Sequence, residues 1–331
     1  MISLRRSRNG PKLAALAPER TLKRLELAVT RRLDGLLHGE HMGLIPGPGT
    51  ELAEARLYQP GEDDIRHMDW AVTARTTTPH VRDLIADHEL EAWALVDLTP
   101  SMDFGTGTMV KRDLAVAALA AVGFLTIRLG DRVGSYLLQP DGLRRRPART
   151  GKAAMYSMLQ AILDAEPGPR ADGAPDLAAG ITALDRGQAR RGLRVIISDF
   201  LPPHDTALTA AAGPGTAPPW ERPMRRLAAR HQVLAVEIID PRELDLPDIG
   251  LVEMTDPETG AVHEIVLNKK VRARYAAAAA AQREHTRAAL RRSGAHHLVL
   301  RTDRDWIADV ARFALRQRRA AGRTVAPGVR P

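Results

Sequence analysis

The sequence predicts an α/β protein built on a doubly wound, mostly parallel sheet, and three features predict it. Ala92-Trp93-Ala94-Leu95-Val96 is an apolar run of strand length that stops at an acid, Asp97, as a strand covered on both faces does. Val195-Ile196-Ile197-Ser198-Asp199-Phe200 repeats that pattern about one hundred residues later, as another parallel strand of the same sheet would. Across 89–318, short strand-like segments alternate with longer helical ones, which is the order of βαβ units.

The elements follow in order. Residues 1–20 are basic and Pro-containing and are expected to be loose. In 21–37, Leu22, Leu25, Leu27, Val29, Leu33 and Leu36 lie near helical spacing and predict an amphipathic helix. Residues 38–50 are rich in Gly and Pro and read as loop. Strands are expected at 81–85 and 89–96, then an apolar helix at 110–128 closed by Gly130. A strand at 132–139 meets Pro140-Asp141-Gly142 and turns into 143–149, a hairpin with an edge strand. Helices follow at 153–164 and 177–188, with a Pro/Gly loop at 166–175 between them, and a strand at 193–199. Residues 201–223 are low-complexity Ala, Pro and Gly and predict a mobile loop over the sheet edge. Then come a helix at 224–231, a strand at 233–239 and a β-hairpin insertion at 249–267 around Asp256-Pro257-Glu258-Thr259-Gly260. An Ala-rich helix at 269–292, a strand at 297–301 and a helix at 303–318 complete the domain. The expected divisions are an N-terminal extension at 1–88, the α/β domain at 89–318 and a disordered tail at 319–331.

Composition narrows the chemistry. With 331 residues, 44% of them hydrophobic, a full core is available. The absence of cysteine excludes disulfides, thiolate metal sites and cysteine nucleophiles together. No apolar run is long enough for a membrane span and the N-terminus lacks the apolar stretch of a signal peptide, so a cytoplasmic protein is expected. The net charge of +8 is spread over scattered arginines, and aromatics are only 4%, which together argue against nucleic acid as a partner. The only lysines are Lys12, Lys23, Lys111, Lys152, Lys269 and Lys270.

Two stretches carry candidate function. Asp97, Thr99 and Ser101 form D-x-T-x-S just past a central strand, where α/β sheets place their ligands. Three oxygen-bearing side chains at alternate positions suit a hard divalent cation, and Pro100 keeps Thr99 extended. Asp199, ending its own buried strand, would add a second acid at the same edge. The plainer alternative is an acid that ends a strand and a hydroxyl that starts the next helix. The second stretch is a dense polar segment, Tyr58-Gln59-Pro60-Gly61-Glu62-Asp63-Asp64-Ile65-Arg66-His67-Met68-Asp69-Trp70, followed by Ala74-Arg75. Its acids, arginines and Trp form either Arg–carboxylate clamps onto the sheet domain or a recognition surface. Tyr58, Asp63, Asp64, Arg66, Asp69, Trp70 and Arg75 are its candidate residues.

These residues carry a resemblance. Tyr58-x-Pro60-Gly61-x-Asp63-x-x-Arg66-x-x-Asp69-Trp70, Ala74-Arg75-Thr76, the Asp97–Gly105 segment, Gly130-Asp131-Arg132-Val133-Gly134, Ile197-Ser198-Asp199-Phe200, Arg230-His231, Ile239-Asp240-Pro241-x-Glu243, Leu246-Pro247 and Thr302-Asp303 resemble the family called domain of unknown function 58 (DUF58). The resemblance implies a sheet of von Willebrand factor A type and a metal-ion-dependent adhesion site. Such a site holds Mg2+ or Mn2+ and leaves one coordination position for a carboxylate-bearing client protein. Carried over, Asp97, Thr99 and Ser101 are the first loop and Asp199 the third. The second loop departs from the family's Thr-Asp-Leu, because Pro175-Asp176-Leu177 stands there and leaves Asp176 as the substitute ligand. The resemblance also implies a MoxR-type AAA+ ATPase as partner, with this chain as the adaptor or substrate-recognition protein in remodelling or maturation of other proteins. Nucleotide hydrolysis falls to that partner, since G-x-x-x-x-G-K-[ST] does not occur here.

Two other functions compete. A magnesium-dependent hydrolase, phosphatase- or nuclease-like, could use acids at the sheet edge. An aspartyl phosphatase would want an acid where Thr99 stands, and a nuclease would need Asp103 turned inward beside Asp97, Asp176 and Asp199. Binding of nucleic acid or anionic lipid through the arginine runs would show a steep loss of affinity with salt.

Overall fold

The computed structural model describes residues 18–37, 55–59, 68, 70–82, 91–107, 109–128, 131–187, 191–202, 216–255 and 262–324. The chain runs through α1 (Pro18–Leu37), β1 (Ala55–Leu57), α2 (Trp70–Thr76), β2 (His80–Arg82), β3 (Glu91–Asp97), α3 (Lys111–Arg128), β4 (Arg132–Gln139) and β5 (Gly142–Arg149). It continues through α4 (Lys152–Leu163), α5 (Leu177–Arg186), β6 (Leu193–Ser198), α6 (Glu221–Ala228), β7 (Gln232–Ile239), β8 (Gly250–Thr255), β9 (Val262–Leu267), α7 (Lys269–Ser293), β10 (His296–Arg301) and α8 (Trp306–Thr324).

Six strands pair in the order β10-β7-β6-β3-β4-β5, all parallel except the last, β5, which pairs antiparallel on β4. This is the doubly wound, mostly parallel sheet read from the sequence. Because β4 lies on one side of β3 and β6 on the other, the strand order reverses at β3. The crevice at the carboxyl ends of β3 and β6 is therefore the topological switch point.

Both faces of β3 are covered, which is why it reads as a continuous apolar run. Ala92, Ala94 and Val96 pack with α3, α4 and α8 residues such as Leu119, Leu159 and Phe313. Trp93 and Leu95 point the other way, among Tyr136, Ile181, Leu184 and Leu290. Helix α3 is apolar all round because α1 covers its outer side with Leu22 and Val29. The N-terminal helix thus shares the core of the α/β domain.

Trp93 dictates its neighbour. It lies opposite Gly134 in the β3–β4 register, and a Cβ on Gly134 would come within 2.8 Å of the indole ring. Gly134→Ala should therefore destabilise the fold by about 1–3 kcal/mol through overpacking, read as a lower urea midpoint at unchanged slope. Beyond Trp93, the edge strand β5 lays Arg145 over the indole at 5.0 Å. Its other arginines charge an exposed sheet edge, which discourages pairing with another chain.

Several expectations shift. The strand expected at 81–85 is β2, and it pairs with β1 in a separate two-stranded sheet, with 83–85 outside the described residues. The loop expected over 201–223 has a fixed far end. Trp220 is buried edge-on against Phe200 at 5.2 Å, and α6 already begins at Glu221, whose carboxylate takes two hydrogen bonds from Arg292. Residues 203–215 of that loop lie outside the described residues, as do 1–17, 38–54 and 325–331. The final helix extends to Thr324, so the first part of the tail expected as disordered is helical. The insertion is a true antiparallel hairpin, β8 on β9, standing on Leu246, Tyr275 and Val271, with Leu251, Val262 and Val266 exposed.

His231, at the start of β7, gives the fold a pH dependence. Burial and the charges of Arg194 and Arg230 push its imidazole down to about 4, with Asp185 opposing. The unfolded chain then takes up this proton first as pH falls. The stability linked to His231 is complete above an ordinary histidine's pKa and is lost as pH drops toward 4. On the order of 2 kcal/mol should go between about pH 7.5 and pH 5. His231→Gln should flatten that slope in urea melts at the two pH values.

Candidate functional site

The carboxyl end of β3 places Asp97 at the switch point, fully enclosed. Its Oδ1 accepts from the backbone N–H of Thr99 at 3.0 Å and from the Thr99 hydroxyl at 2.6 Å. Its Oδ2 accepts from the Ser198 hydroxyl at 2.6 Å, so the last residue of β6 grips the end of β3. Thr99 and Ser101 stand with their hydroxyls 3.4 Å apart. Pro100 follows extended Thr99 and opens a short 3-10 turn, so the D-x-T-x-S loop turns back at once.

Asp199 comes next after β6. Phe200 behind it adopts φ 54, a left-handed conformation rare for a bulky side chain, and its amide donates to Ser198 Oγ at 3.0 Å. The reversal returns the Leu201 amide to Asp199 Oδ1 at 3.1 Å. Ser101 also hydrogen-bonds the Asp199 carboxylate. Asp97, Thr99, Ser101 and Asp199 are thus brought together as the sequence leads one to expect.

Against Asp199 stands a residue that motif reasoning passed over. Lys111, the first residue of α3, is completely buried. Its Nζ donates to Asp199 Oδ2 at 2.7 Å and to Glu243 Oε1 at 2.5 Å. Glu243 belongs to a capping box after β7, where its Oε2 accepts from the Asp240 amide at 3.0 Å. Asp240 is buried in turn and accepts four hydrogen bonds: Thr106 N at 2.8 Å, Thr106 Oγ1 at 2.6 Å, Arg242 N at 2.9 Å and Thr302 Oγ1 at 2.9 Å. Loops following β3, β7 and β10 are stapled together there.

Electrostatics follow the geometry. Burial would drive the Lys111 ammonium toward neutrality, but Asp199 and Glu243 hold it protonated and raise its pKa. Burial works against the Asp199 carboxylate too, and Lys111 outweighs it, so Asp199 stays below the usual carboxylate range. Asp97 and Glu243 are pushed up, first by burial and then by the negative charge of Asp199.

As arranged, these side chains do not fit the Mg2+ or Mn2+ that the resemblance implies. The oxygens of Asp97, Asp199 and Glu243 already accept from internal donors, and an ammonium sits between two of the carboxylates. Asp176 caps α5, accepting from the Ala179 amide at 2.8 Å. Among the described residues, no three His, Cys, Asp or Glu side chains stand where they could hold a metal ion. Asp103 is turned toward Arg112, which donates to its Oδ2 at 3.0 Å and pairs with it as an ion pair, so the inward turn that a nuclease-type cluster needs is not made.

Of the second candidate stretch, Tyr58 is half-buried and its amide donates to Pro79 O at 2.9 Å. Trp70 opens α2 with 67% of its surface exposed, and Arg75 is exposed in the last turn of that helix. Asp63, Asp64, Arg66 and Asp69 lie outside the described residues.

A six-stranded, mostly parallel sheet with an acid–hydroxyl loop at its switch point defines a doubly wound α/β domain. The profile of the protein of unknown function DUF58 matches residues 54–285, and the chain belongs to that family. It is 50% identical over 318 residues to the Uncharacterized protein Rv1480 of Mycobacterium tuberculosis, covering 96% of this chain and 94% of that one. It is 44% identical over 181 residues to the Uncharacterized protein MAV169 of Mycobacterium avium, covering 54% and 97%. Solved structures similar to it include BatB from Bacteroides thetaiotaomicron, at 15% identity and TM-score 0.39, over 70% of this chain and 99% of that one. The SpRpn10 VWA domain is another, at 10% identity and TM-score 0.34, over 67% and 94%. Among the described residues, no helix is long and apolar enough to cross a membrane.

Proposed function

We propose that this protein is a non-enzymatic interaction module, the adaptor or substrate-recognition partner of a MoxR-type AAA+ ATPase in the remodelling or maturation of other proteins. The choice of ATPase rests on the family resemblance. Support for a recognition surface comes from Trp70, a large indole left 67% exposed at the head of α2 inside the family's signature segment. Exposed Trp side chains of this kind anchor protein interfaces, because they bury much area at little entropic expense. Exposed Leu57 on β1 belongs to the same small unit of α2, β1 and β2.

In this reading the acid–hydroxyl–lysine centre shapes the loops around the sheet edge rather than turning over a substrate. Metal dependence is not part of it, because Lys111 stands between the acids. The test is affinity between the purified protein and the MoxR-type ATPase of the same organism, measured by interferometry. Wild type should bind, and Trp70→Ala should weaken binding about tenfold or more at an unchanged melting temperature. Failure of wild type to bind the ATPase, with or without nucleotide, would remove the adaptor reading. An unchanged affinity in Trp70→Ala would remove Trp70 from the interface.

A further inference from the structure

We infer that the Lys111 ammonium is the resident cation of the sheet-edge site, held by Asp199 and Glu243 in the place of a divalent metal. The inference is independent of the ATPase partnership.

It rests first on where the ammonium lies. Lys111 has no exposed surface, and its charge lies on Asp199, the acid that would otherwise complete the site opened by Asp97, Thr99 and Ser101. Its backbone is tied to the same loop, since Lys111 N donates to Phe104 O at 2.9 Å. The side chain therefore enters from a fixed point at the head of α3.

The donor set is the second argument. Magnesium-type ions need several oxygen lone pairs converging at about 2.1 Å. Here every carboxylate oxygen already accepts from an internal donor. Asp97 takes the Thr99 amide and hydroxyl on one oxygen and the Ser198 hydroxyl on the other. Asp199 takes the Leu201 amide and Lys111, and Glu243 takes Lys111 and the Asp240 amide. A divalent ion bound by Asp199 would meet the positive charge of the buried ammonium at short range.

Residue chemistry is the third. The chain uses Arg almost everywhere, yet its six lysines include this one. An ammonium is a compact point charge able to bridge two carboxylates in a closed space, whereas a planar guanidinium needs a wider fork.

The experiment uses the full chain, stripped of metal by chelation, with Mn2+ alone as probe in calorimetry and thermal melts. Wild type should give no saturable heat and the same melting temperature with and without Mn2+. Lys111→Ala, which removes the ammonium and opens space beside the carboxylates of Asp199 and Glu243, should melt lower and recover by about 4 °C or more with Mn2+, one ion per chain. One Mn2+ bound per wild-type chain, and lost in Asp97→Asn, would overturn the inference. So would a Lys111→Ala protein that Mn2+ fails to raise, since the ammonium and metal would then not be equivalent. Should Lys111→Ala not fold, the wild-type titration decides alone.

Discussion

Lys111→Met is expected to lower the unfolding free energy by about 3–5 kcal/mol, among the largest effects of any single substitution in this chain. Methionine matches the length of the lysine stem, so packing changes little. What changes is charge: Asp199 and Glu243 lose the ammonium that both contact, and the buried Asp199 carboxylate is left uncompensated. Breaking a buried ion pair from one side is far more damaging than removing both sides together. The triple variant Lys111→Met, Asp199→Asn, Glu243→Gln should therefore regain much of the lost stability. Urea unfolding at neutral pH measures both steps. A single variant within about 1 kcal/mol of wild type would mean that the cluster carries little electrostatic weight.

Asp240→Ala should cost about as much, by a different mechanism. Its carboxylate, itself without exposed surface, gathers the Thr106 amide and hydroxyl, the Arg242 amide and the Thr302 hydroxyl. Alanine strands those donors, and each buried unsatisfied donor costs about 1–3 kcal/mol. A loss of about 3–5 kcal/mol is expected, with faster amide exchange at Thr106 as the local sign. Asp240→Asn should fall between, because its amide group keeps an acceptor on one side and presents a donor on the other. If Asp240→Ala left Thr106 as protected as in wild type, the stapling of the three loops would have to lie elsewhere.

These two effects bear on function through one physical chain. Asp97, Asp199, Glu243 and Asp240 are short side chains at strand ends, and each draws a loop inward with charge-assisted bonds. The loops following β3 and β7 are thereby held over the sheet edge.

Much of this was legible in the residues themselves. Strand β4 was read at its observed limits, because Arg132 to Gln139 is apolar within and Pro140-Asp141 stops it with a turn. The ends of α3, α4 and α7 came within a residue or so, since runs of helix-forming apolar and Ala residues are local signals. The D-x-T-x-S loop and its meeting with Asp199 followed from two acid-ended apolar strands. Where local signal was misleading, composition misled: the Ala/Pro/Gly stretch before Trp220 reads as loop to the end, yet Trp220 and Glu221 are anchored by Phe200 and Arg292, far along the chain.

The sequence by itself determined the alternation of strand and helix, the burial of β3 on both faces and the acids at the sheet edge. Period, turn chemistry and apolar runs are properties of neighbouring residues. Only the tertiary structure decided which cation those acids face. Lys111 meets Asp199 across 88 positions and Glu243 across 132, and no local pattern marks such a meeting. Its single trace in the sequence is a lone lysine at the head of an apolar helix in a chain that otherwise prefers arginine. The strand order turns that trace into chemistry, because it brings the end of β6, the turn after β7 and the start of α3 to one closed point.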